Sequence, residues 1–347
     1  MSTDPRVIAT ATAVPPIPLR RQEVEARALA LFTSRAQDLL HLFPAYANAG
    51  IDARYSCVPI EWYLKPSGWR ERTRLYVSHA LDLLEQVASE CLETAGLSTD
   101  DVDALVVAST TGIATPSLDA LLMERMGLRR DVMRLPVFGL GCAGGVLGLA
   151  RAAAMARAHP GQRVLFLVVE LCGLTFRIND LSKANIIATA LFGDGAAGAL
   201  LGSGDGPRLT TWGEHTWRNS LDVMGWRIED DGFGVLFSSD IPRIVQSRFR
   251  SAVDGFLAKS GLGIGGVDGF ICHPGGTKVI AALEEALGLA PETLAAERAV
   301  LRDFGNMSAA TVLFVLREAM RERRRGRQLM TGLGPGFTAG FLMLDMG

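Results

Sequence analysis

The sequence repeats itself at a fixed offset, and this feature constrains the fold more than any other. Residues 95–107 return as residues 260–272, at an offset of 165 residues. Each copy contains a glycine that ends a helix (Gly96 or Gly261), then a short loop and a buried strand. Self-similarity of this kind indicates a duplicated structural unit. We therefore expect two halves of similar architecture.

Further pairs of segments extend the duplication. A loop that carries Cys142 precedes a run of small and apolar residues, and a loop that carries Asn306 precedes a similar run. Glycine turns at residues 192–195 and 333–336 each lead into a strand. Because buried apolar strands alternate with Ala-rich helices, helices should be layered around central sheets. The sequence predicts a duplicated α/β fold, an α/β/α/β/α sandwich of five layers.

The two halves are predicted to divide where apolar periodicity stops, near residues 202–207. Residues 1–205 then form the N-terminal half, which carries Cys142, and residues 206–347 form the C-terminal half. Residues 206–250, rich in Trp and Gly, are predicted to be an insertion of hairpins before the second copy begins.

Length and composition exclude several classes of protein. The 347 residues exceed what one hydrophobic core usually supports, and 48% of them are hydrophobic, which excludes a disordered chain. Positive and negative charges nearly cancel, with a formal net charge of −2, so the chain has no field that would attract nucleic acid. No stretch has the length and apolar character of a membrane span, and the first residues lack the pattern of a leader peptide.

The cysteines favour a reducing compartment. The five are odd in number and widely spaced, without a CxxC pair, so neither a disulfide framework nor a metal site is expected. We therefore predict a cytoplasmic protein.

Cys142 is the candidate nucleophile. It lies in the sequence GLGCAGG, where glycines permit a sharp turn directly before a helix. The free N–H groups and positive dipole end of that helix should favour a thiolate. A buried core cysteine is the alternative, but it would not need four glycines within seven positions.

His273 and Asn306 are the candidate partners of this thiol. His273 directly follows a buried strand and precedes Pro-Gly-Gly, so its imidazole should emerge at the carboxyl end of the strand, where ligand sites of layered α/β folds gather. Asn306 is the repeat counterpart of Cys142. An imidazolium beside the thiolate would keep the sulfur nucleophilic for attack on a thioester, and His273 and Asn306 could both donate to an enolate or oxyanion. This chemistry requires no metal or cofactor.

At these residues the sequence resembles the thiolase superfamily, and within it the type III polyketide synthases, which are the chalcone-synthase-like enzymes. The motifs are GCAGG at 141–145, LFGDGAA at 191–197, ICHPGG at 271–276, FGNMSAA at 304–310 and GLGPG at 332–336. The resemblance implies a thiolase-like fold and a homodimer that uses free CoA thioesters. It also implies that Cys142 carries the acyl chain, while His273 and Asn306 promote decarboxylation of malonyl-CoA.

The resemblance assigns further residues to substrate. The gatekeeper between CoA tunnel and cavity is Phe192, and the second gatekeeper position is Val235, a departure that should widen the passage. Small cavity residues resemble those of bacterial alkylpyrone-forming members, which favours a long-chain fatty acyl-CoA starter and alkylpyrone or alkylresorcinol-type products. These cavity positions are Thr110, Ala114 and Cys172. Ser308, in the FGNMSAA motif, is also predicted to line the substrate cavity.

The sequence offers few residues that could bind the phosphates of CoA. The family's basic cluster at the tunnel mouth is largely absent, since HLFPAYAN stands near that place at 41–48. Arg54 and Lys278 are the remaining candidates for phosphate contacts.

Two alternatives share the fold. The first is an initiating β-ketoacyl synthase that depends on a carrier protein and has the same Cys/His/Asn set. The HPGG and GPG sequences favour the type III enzymes. The second is a non-catalytic relative that only sequesters lipid, which an intact Cys142, His273 and Asn306 disfavour.

Overall fold

The structure is a computed structural model that describes residues 4–33 and 37–347, with backbone alone at residues 33 and 37–39. Its strands are β1 Arg6–Ala13, β2 Ile17–Arg20, β3 Ala53–Ser56, β4 Ala104–Ala108, β5 Met133–Val137, β6 Val164–Leu171, β7 Asp194–Gly202, β8 Arg208–Thr216, β9 Met224–Glu229, β10 Gly232–Phe237, β11 Gly269–Cys272, β12 Arg327–Gly334 and β13 Thr338–Asp345. Its α-helices are α1 Arg21–Thr33, α2 Pro44–Asn48, α3 Trp69–Ala95, α4 Leu118–Met126, α5 Gly144–Ala158, α6 Lys183–Leu191, α7 Ile241–Ile244, α8 Arg250–Ala258, α9 Thr277–Leu287, α10 Ala295–Phe304 and α11 Thr311–Arg321.

The strand order repeats the duplication seen in the sequence. Across the described residues, nine strands form one sheet in the order β11-β12-β13-β8-β1-β7-β6-β4-β5. In the first half, β6 pairs antiparallel with β7 and parallel with β4. In the second half, β12 pairs antiparallel with β13 and parallel with β11. The halves join where Arg6 of β1 pairs with Arg208 of β8.

The repeated sequence unit forms the predicted local structure twice. Gly96 follows α3 with φ at +65°, and Gly261 comes after α8 with φ at +66°. A residue with a Cβ atom is strained in this left-handed conformation, so glycine ends both helical segments. A single 3-10 turn then leads into β4 in one half and into β11 in the other.

Two helices form the central layer between the halves of the sheet. α5 packs against β4 and β6 on one side and against β12 and β13 on the other, while α11 packs against β1, β7 and β11. Close approach requires a glycine in α5, because a Cβ on Gly145 would lie 2.2 Å from the carbonyl oxygen of Ala309. The outer layers are α3 on the first half and α8 with α9 on the second. The predicted five-layered α/β sandwich is confirmed.

The segment 206–250 differs from its prediction. β9 and β10 form a hairpin, but β8 belongs to the main sheet and pairs with β13, and residues 241–249 are helical. The partner of β8 lies more than a hundred residues away in the chain, so local patterns could not identify it. The boundary at 205/206 stays a prediction.

α3 spans 27 residues but carries charged side chains along its length. Within the described part of the chain, no helix is both long and apolar enough to cross a membrane.

Candidate active site

Cys142 lies where loops of the two halves meet. It occupies the 3-10 turn Gly141–Ala143, directly before α5, and is 6% exposed. The N–H of Gly141 donates to Thr110 Oγ1 at 3.1 Å, which fastens the turn to the loop after β4. From the second half, Ser308 Oγ lies 3.6 Å from Cys142 Sγ. The thiol is therefore held between a first-half turn and a second-half hydroxyl.

Asn306 is fixed by hydrogen bonds of its backbone and its side chain. Its N–H donates to Leu191 O and its carbonyl accepts from Gly193 N, both at 3.0 Å. The side-chain Oδ1 accepts from the N–H of Ser308 at 2.8 Å, and Nδ2 donates to Gly275 O at 3.2 Å. Because the Nδ2 amide group carries two N–H donors, one remains available for a substrate oxygen.

His273 contributes a buried imidazole without a protein partner. It directly follows β11, is 4% exposed, and its backbone N–H donates to Thr331 O at 2.8 Å. Among the described residues, neither Nδ1 nor Nε2 has a hydrogen-bond partner. Buried polar groups in proteins are nearly always paired. A buried imidazole without a protein partner is therefore typical of a group whose partner is the substrate.

Burial determines the protonation states of this site. It raises the pKa of the Cys142 thiol to about 12, although hydrogen bonds with Ser308 and Asn306 lower the pKa. It lowers the pKa of His273 to about 3. Both shifts favour the neutral thiol and the neutral imidazole before substrate binds. Desolvation thus opposes the thiolate–imidazolium ion pair that the sequence predicts. The sequence pattern does not show how deeply the two groups are buried.

Glu170 is a site residue that the motifs missed. It lies on β6, is fully buried, and its Oε2 accepts from Thr110 N at 3.0 Å and from Thr111 Oγ1 at 2.8 Å. Its Oε1 accepts from Ser308 Oγ at 3.4 Å, which links the carboxyl through Ser308 to Cys142. The sequence did carry a signal, since this is the only acid in the buried run VLFLVVEL.

The Glu170 carboxyl should make stability depend on pH. Burial raises its folded-state pKa from 4.5 to about 7. A raised pKa means that its contribution to stability is full below 4.5 and is lost as pH rises through about 7. The Tm of the wild type minus the Tm of Glu170→Gln should therefore fall between about pH 5 and about pH 8. Thermal unfolding followed by circular dichroism measures this difference. A Tm difference that stays constant with pH would contradict the raised pKa of Glu170. Glu23→Gln, which changes an exposed carboxyl, is the control.

A cavity adjoins the site between α1, α6 and β10. Three of the predicted substrate residues line it, namely Cys172, Phe192 and Val235. The cavity encloses about 800 Å³ of space outside the protein atoms, part of it open to solvent. Most of its other walls are apolar side chains: Leu19, Val24, Ala28, Leu31, Phe32, Ile60, Leu64, Phe176 and Ala188. This shape and lining suit an aliphatic chain.

The structure separates two other predicted cavity residues from this space. Ala114 lines a second pocket, together with Tyr76 and Phe138. Thr110 is 6% exposed, and its carbonyl accepts from Trp226 Nε1 at 3.0 Å. Cys172 therefore lines the first cavity and Ala114 the second, and the predicted roles of Thr110 and Ala114 in binding the starter stay predictions.

The two predicted CoA contacts, Arg54 and Lys278, lie in different environments. Arg54 is 4% exposed, and its Nη1 donates to the backbone carbonyls of Thr189 and Phe192. Arg54 therefore holds α6 and the Phe192 backbone and also lines the cavity, and its contact with a CoA phosphate stays a prediction. Lys278 is exposed in the first turn of α9, and its contact with CoA stays a prediction.

Comparisons with known proteins extend over both halves. The model for the N-terminal domain of chalcone and stilbene synthases matches residues 61–205, and the model for their C-terminal domain matches residues 215–345. A 1,3,6,8-tetrahydroxynaphthalene synthase from Streptomyces peucetius subsp. caesius is 37% identical over 97% of this chain and 92% of its own. The alpha-pyrone synthesis polyketide synthase-like Pks18 of Mycobacterium tuberculosis is 28% identical over 81% of this chain and 75% of its own.

A solved structure shows the same fold. The crystal structure of 1,3,6,8-tetrahydroxynaphthalene synthase from Streptomyces coelicolor A3(2), described as a bacterial type III polyketide synthase, has a TM-score of 0.93 at 28% identity. The match covers 98% of this chain and 99% of that one.

Proposed function

Because the chain belongs to the chalcone and stilbene synthase family of type III polyketide synthases, which act on malonyl-CoA, we propose that it extends a long-chain fatty acyl-CoA starter. The products would be of the alkylpyrone or alkylresorcinol type. The observation that carries the starter proposal is the apolar cavity bordered by Cys172, Phe192 and Val235. The relative named for alpha-pyrone synthesis supports the proposed pyrone product.

In the proposed first step, the starter is transferred to Cys142. The sulfur attacks the thioester carbonyl while the thiol proton passes to the unpaired imidazole of His273. The C–S bond to CoA breaks, and the CoA thiolate takes that proton and leaves. Since burial disfavours a free thiolate, proton transfer should accompany the attack.

In the second step, malonyl-CoA loses its carboxylate as CO2. The electron pair of the broken C–C bond forms an enolate, whose oxygen accepts hydrogen bonds from His273 and from Asn306 Nδ2. The enolate carbon then attacks the acyl thioester, forming a C–C bond and releasing Cys142 as a thiolate, which is reprotonated. Repetition of both steps lengthens the chain by one ketide unit per malonyl-CoA.

A panel of acyl-CoA starters with labelled malonyl-CoA, analysed by mass spectrometry, tests the proposal. We expect products that contain an intact fatty acyl starter and labelled ketide units. Products made from malonyl-CoA alone, whatever acyl-CoA is supplied, would contradict the fatty starter. A strict requirement for malonyl carried on a carrier protein would favour the β-ketoacyl synthase alternative.

Filling the cavity should reverse the starter preference. Each buried methylene is worth about 0.8 kcal/mol, so kcat/KM of the wild type should rise along a saturated acyl-CoA series until the cavity is full. Ala188→Phe, which narrows the cavity from α6, should suppress long starters and spare short ones. The matched variant Ala114→Phe fills the second pocket and should leave the preference unchanged. The opposite result for the two variants would place the acyl chain in the second pocket.

The remaining proposals concern assembly and location. Ile113 and Phe138 are 48% and 57% exposed beside the second pocket, and this apolar surface supports a homodimer in which a second copy covers it.

All five cysteines are unpaired, which supports a location in the reducing cytoplasm. The absence of a cofactor requirement stays a prediction.

A further inference from the structure

We propose that Glu297 is a positioning residue, which holds the imidazole of His273 in place through the backbone of β11. The inference rests on the proposed function, because it takes His273 as a group that acts on malonyl-CoA. It adds a residue outside every motif of the sequence.

The geometry at the edge of the sheet carries this inference. β11 is the last strand of the nine-stranded order, so its outward backbone groups have no strand to pair with. Glu297, on α10, fills this role, and its Oε1 accepts from Cys272 N at 2.9 Å. The next amide, that of His273, donates in the opposite direction to Thr331 O at 2.8 Å. The peptide units on either side of Cys272 are thus fastened from both sides.

The imidazole depends on this backbone to an unusual degree. Within the described residues, no hydrogen bond holds either ring nitrogen of His273. Catalytic imidazoles are commonly oriented by a carboxylate on the ring. Here the carboxylate of Glu297 acts one residue upstream, on the main chain, and leaves both ring nitrogens free for substrate.

Glu297 occupies a position that packing alone would give to an apolar residue. It is 1% exposed and shares the buried face of α10 with Val300 and Leu301. Its Oε2 is buried without a partner among the described residues, and burial raises the pKa of the carboxyl to about 7. Such an unsatisfied oxygen opposes folding, so its presence requires a compensating contact. The bond to Cys272 N is the compensating contact that the structure offers.

The chain supplies a matched control on the neighbouring helix. Glu284, on α9, is 4% exposed and also accepts a backbone hydrogen bond, from Leu294 N at 3.1 Å. It pairs with Arg298, and no hydrogen bond or ion pair among the described residues joins it to β11 or to His273. Loss of Glu284 should therefore affect stability without affecting the imidazole.

The test measures malonyl-CoA decarboxylation by Glu297→Ala, Glu297→Gln and Glu284→Ala, with rates divided by the fraction of Cys142 that a starter can acylate. We expect Glu297→Ala to lower kcat about 10- to 100-fold with KM within about twofold, since misplacing a reacting group by about 1 Å has such effects. Glu297→Gln keeps an oxygen acceptor and should restore kcat to within about threefold of the wild type. Glu297→Leu suits the apolar face of α10 and repeats the alanine test if the alanine variant does not fold.

Each other outcome overturns the inference. An unchanged kcat in Glu297→Ala and Glu297→Leu would show that the hydrogen bond from Cys272 N to Glu297 does not position His273. If Glu297→Gln is as slow as Glu297→Ala, the effect comes from the charge of the carboxylate and not from its hydrogen bond. If Glu284→Ala loses as much kcat as Glu297→Ala, the effect comes from general destabilisation. Failure of the proposed function is distinguishable, because the wild type itself would then not decarboxylate malonyl-CoA, or His273→Ala would do so at the wild-type rate.

Discussion

Replacing Cys142 by alanine should abolish polyketide formation while leaving the fold intact. The variant loses the sulfur that we propose carries the acyl chain, so the rate of product formation should fall by more than about 10,000-fold. Stability should change little, because the thiol donates only one weak hydrogen bond, to Ser308 at 3.6 Å, and alanine fills most of its volume. Intact-protein mass after incubation with a fatty acyl-CoA measures the acyl adduct directly.

Cys172→Ala is the matched control for this experiment. Cys172 is 5% exposed and lines the adjoining cavity, so both variants remove a buried thiol from the same region. Cys172→Ala should still gain one acyl group, and Cys142→Ala should gain none. An adduct that persists in Cys142→Ala would identify another nucleophile.

Replacing Asn306 by alanine should impair malonyl-CoA decarboxylation far more than starter loading. The side-chain N–H is assigned to the enolate oxygen, and loss of a comparable oxyanion donor lowers kcat about 100- to 1,000-fold. Loading depends on Cys142 and His273 and should slow much less. Release of labelled CO2 and the rate of acyl-adduct formation, measured on the same preparation, separate the two steps.

Asn306→Asp distinguishes the donor from the scaffold. Asn306 Oδ1 also accepts from the N–H of Ser308, and alanine removes this contact along with the donor. Aspartate keeps an oxygen at this place but replaces the donor with an acceptor. We expect decarboxylation to be as slow in Asn306→Asp as in Asn306→Ala. Recovery in the aspartate variant, or equal slowing of loading in both, would show that Asn306 organises the site instead.

The features that sequence could predict are those written in short stretches of chain. The glycines at 96 and 261 end equivalent helical segments because their backbone conformation excludes side chains, and this requirement is visible in the residues themselves. The same holds for the turn before Cys142 and for the strand before His273. These local patterns, together with the duplication, therefore predict Cys142, His273 and Asn306 as the reactive side chains.

The features that sequence missed depend on contacts between distant segments. Arg54 is buried, and its guanidinium donates to carbonyls of residues 135 and 138 positions away in the chain. Trp226 lies far from Thr110 in the chain, yet its indole N–H donates to the Thr110 carbonyl. The pKa values of Cys142 and His273 depend on burial, which the helix N-terminus alone does not indicate. Local patterns thus indicate candidate reactive residues but not the burial that determines their charge.

Trapping the wild-type enzyme during turnover tests the central claim, that Cys142 carries a chain that grows by decarboxylative condensation. The enzyme is loaded with a fatty acyl-CoA, mixed with isotopically labelled malonyl-CoA, quenched in acid and digested. The account predicts that the peptide containing Cys142 carries the starter acyl group before mixing and the starter extended by whole labelled ketide units after mixing. Labelled chains on a different peptide, or polyketide product formed while Cys142 stays unmodified, would contradict it.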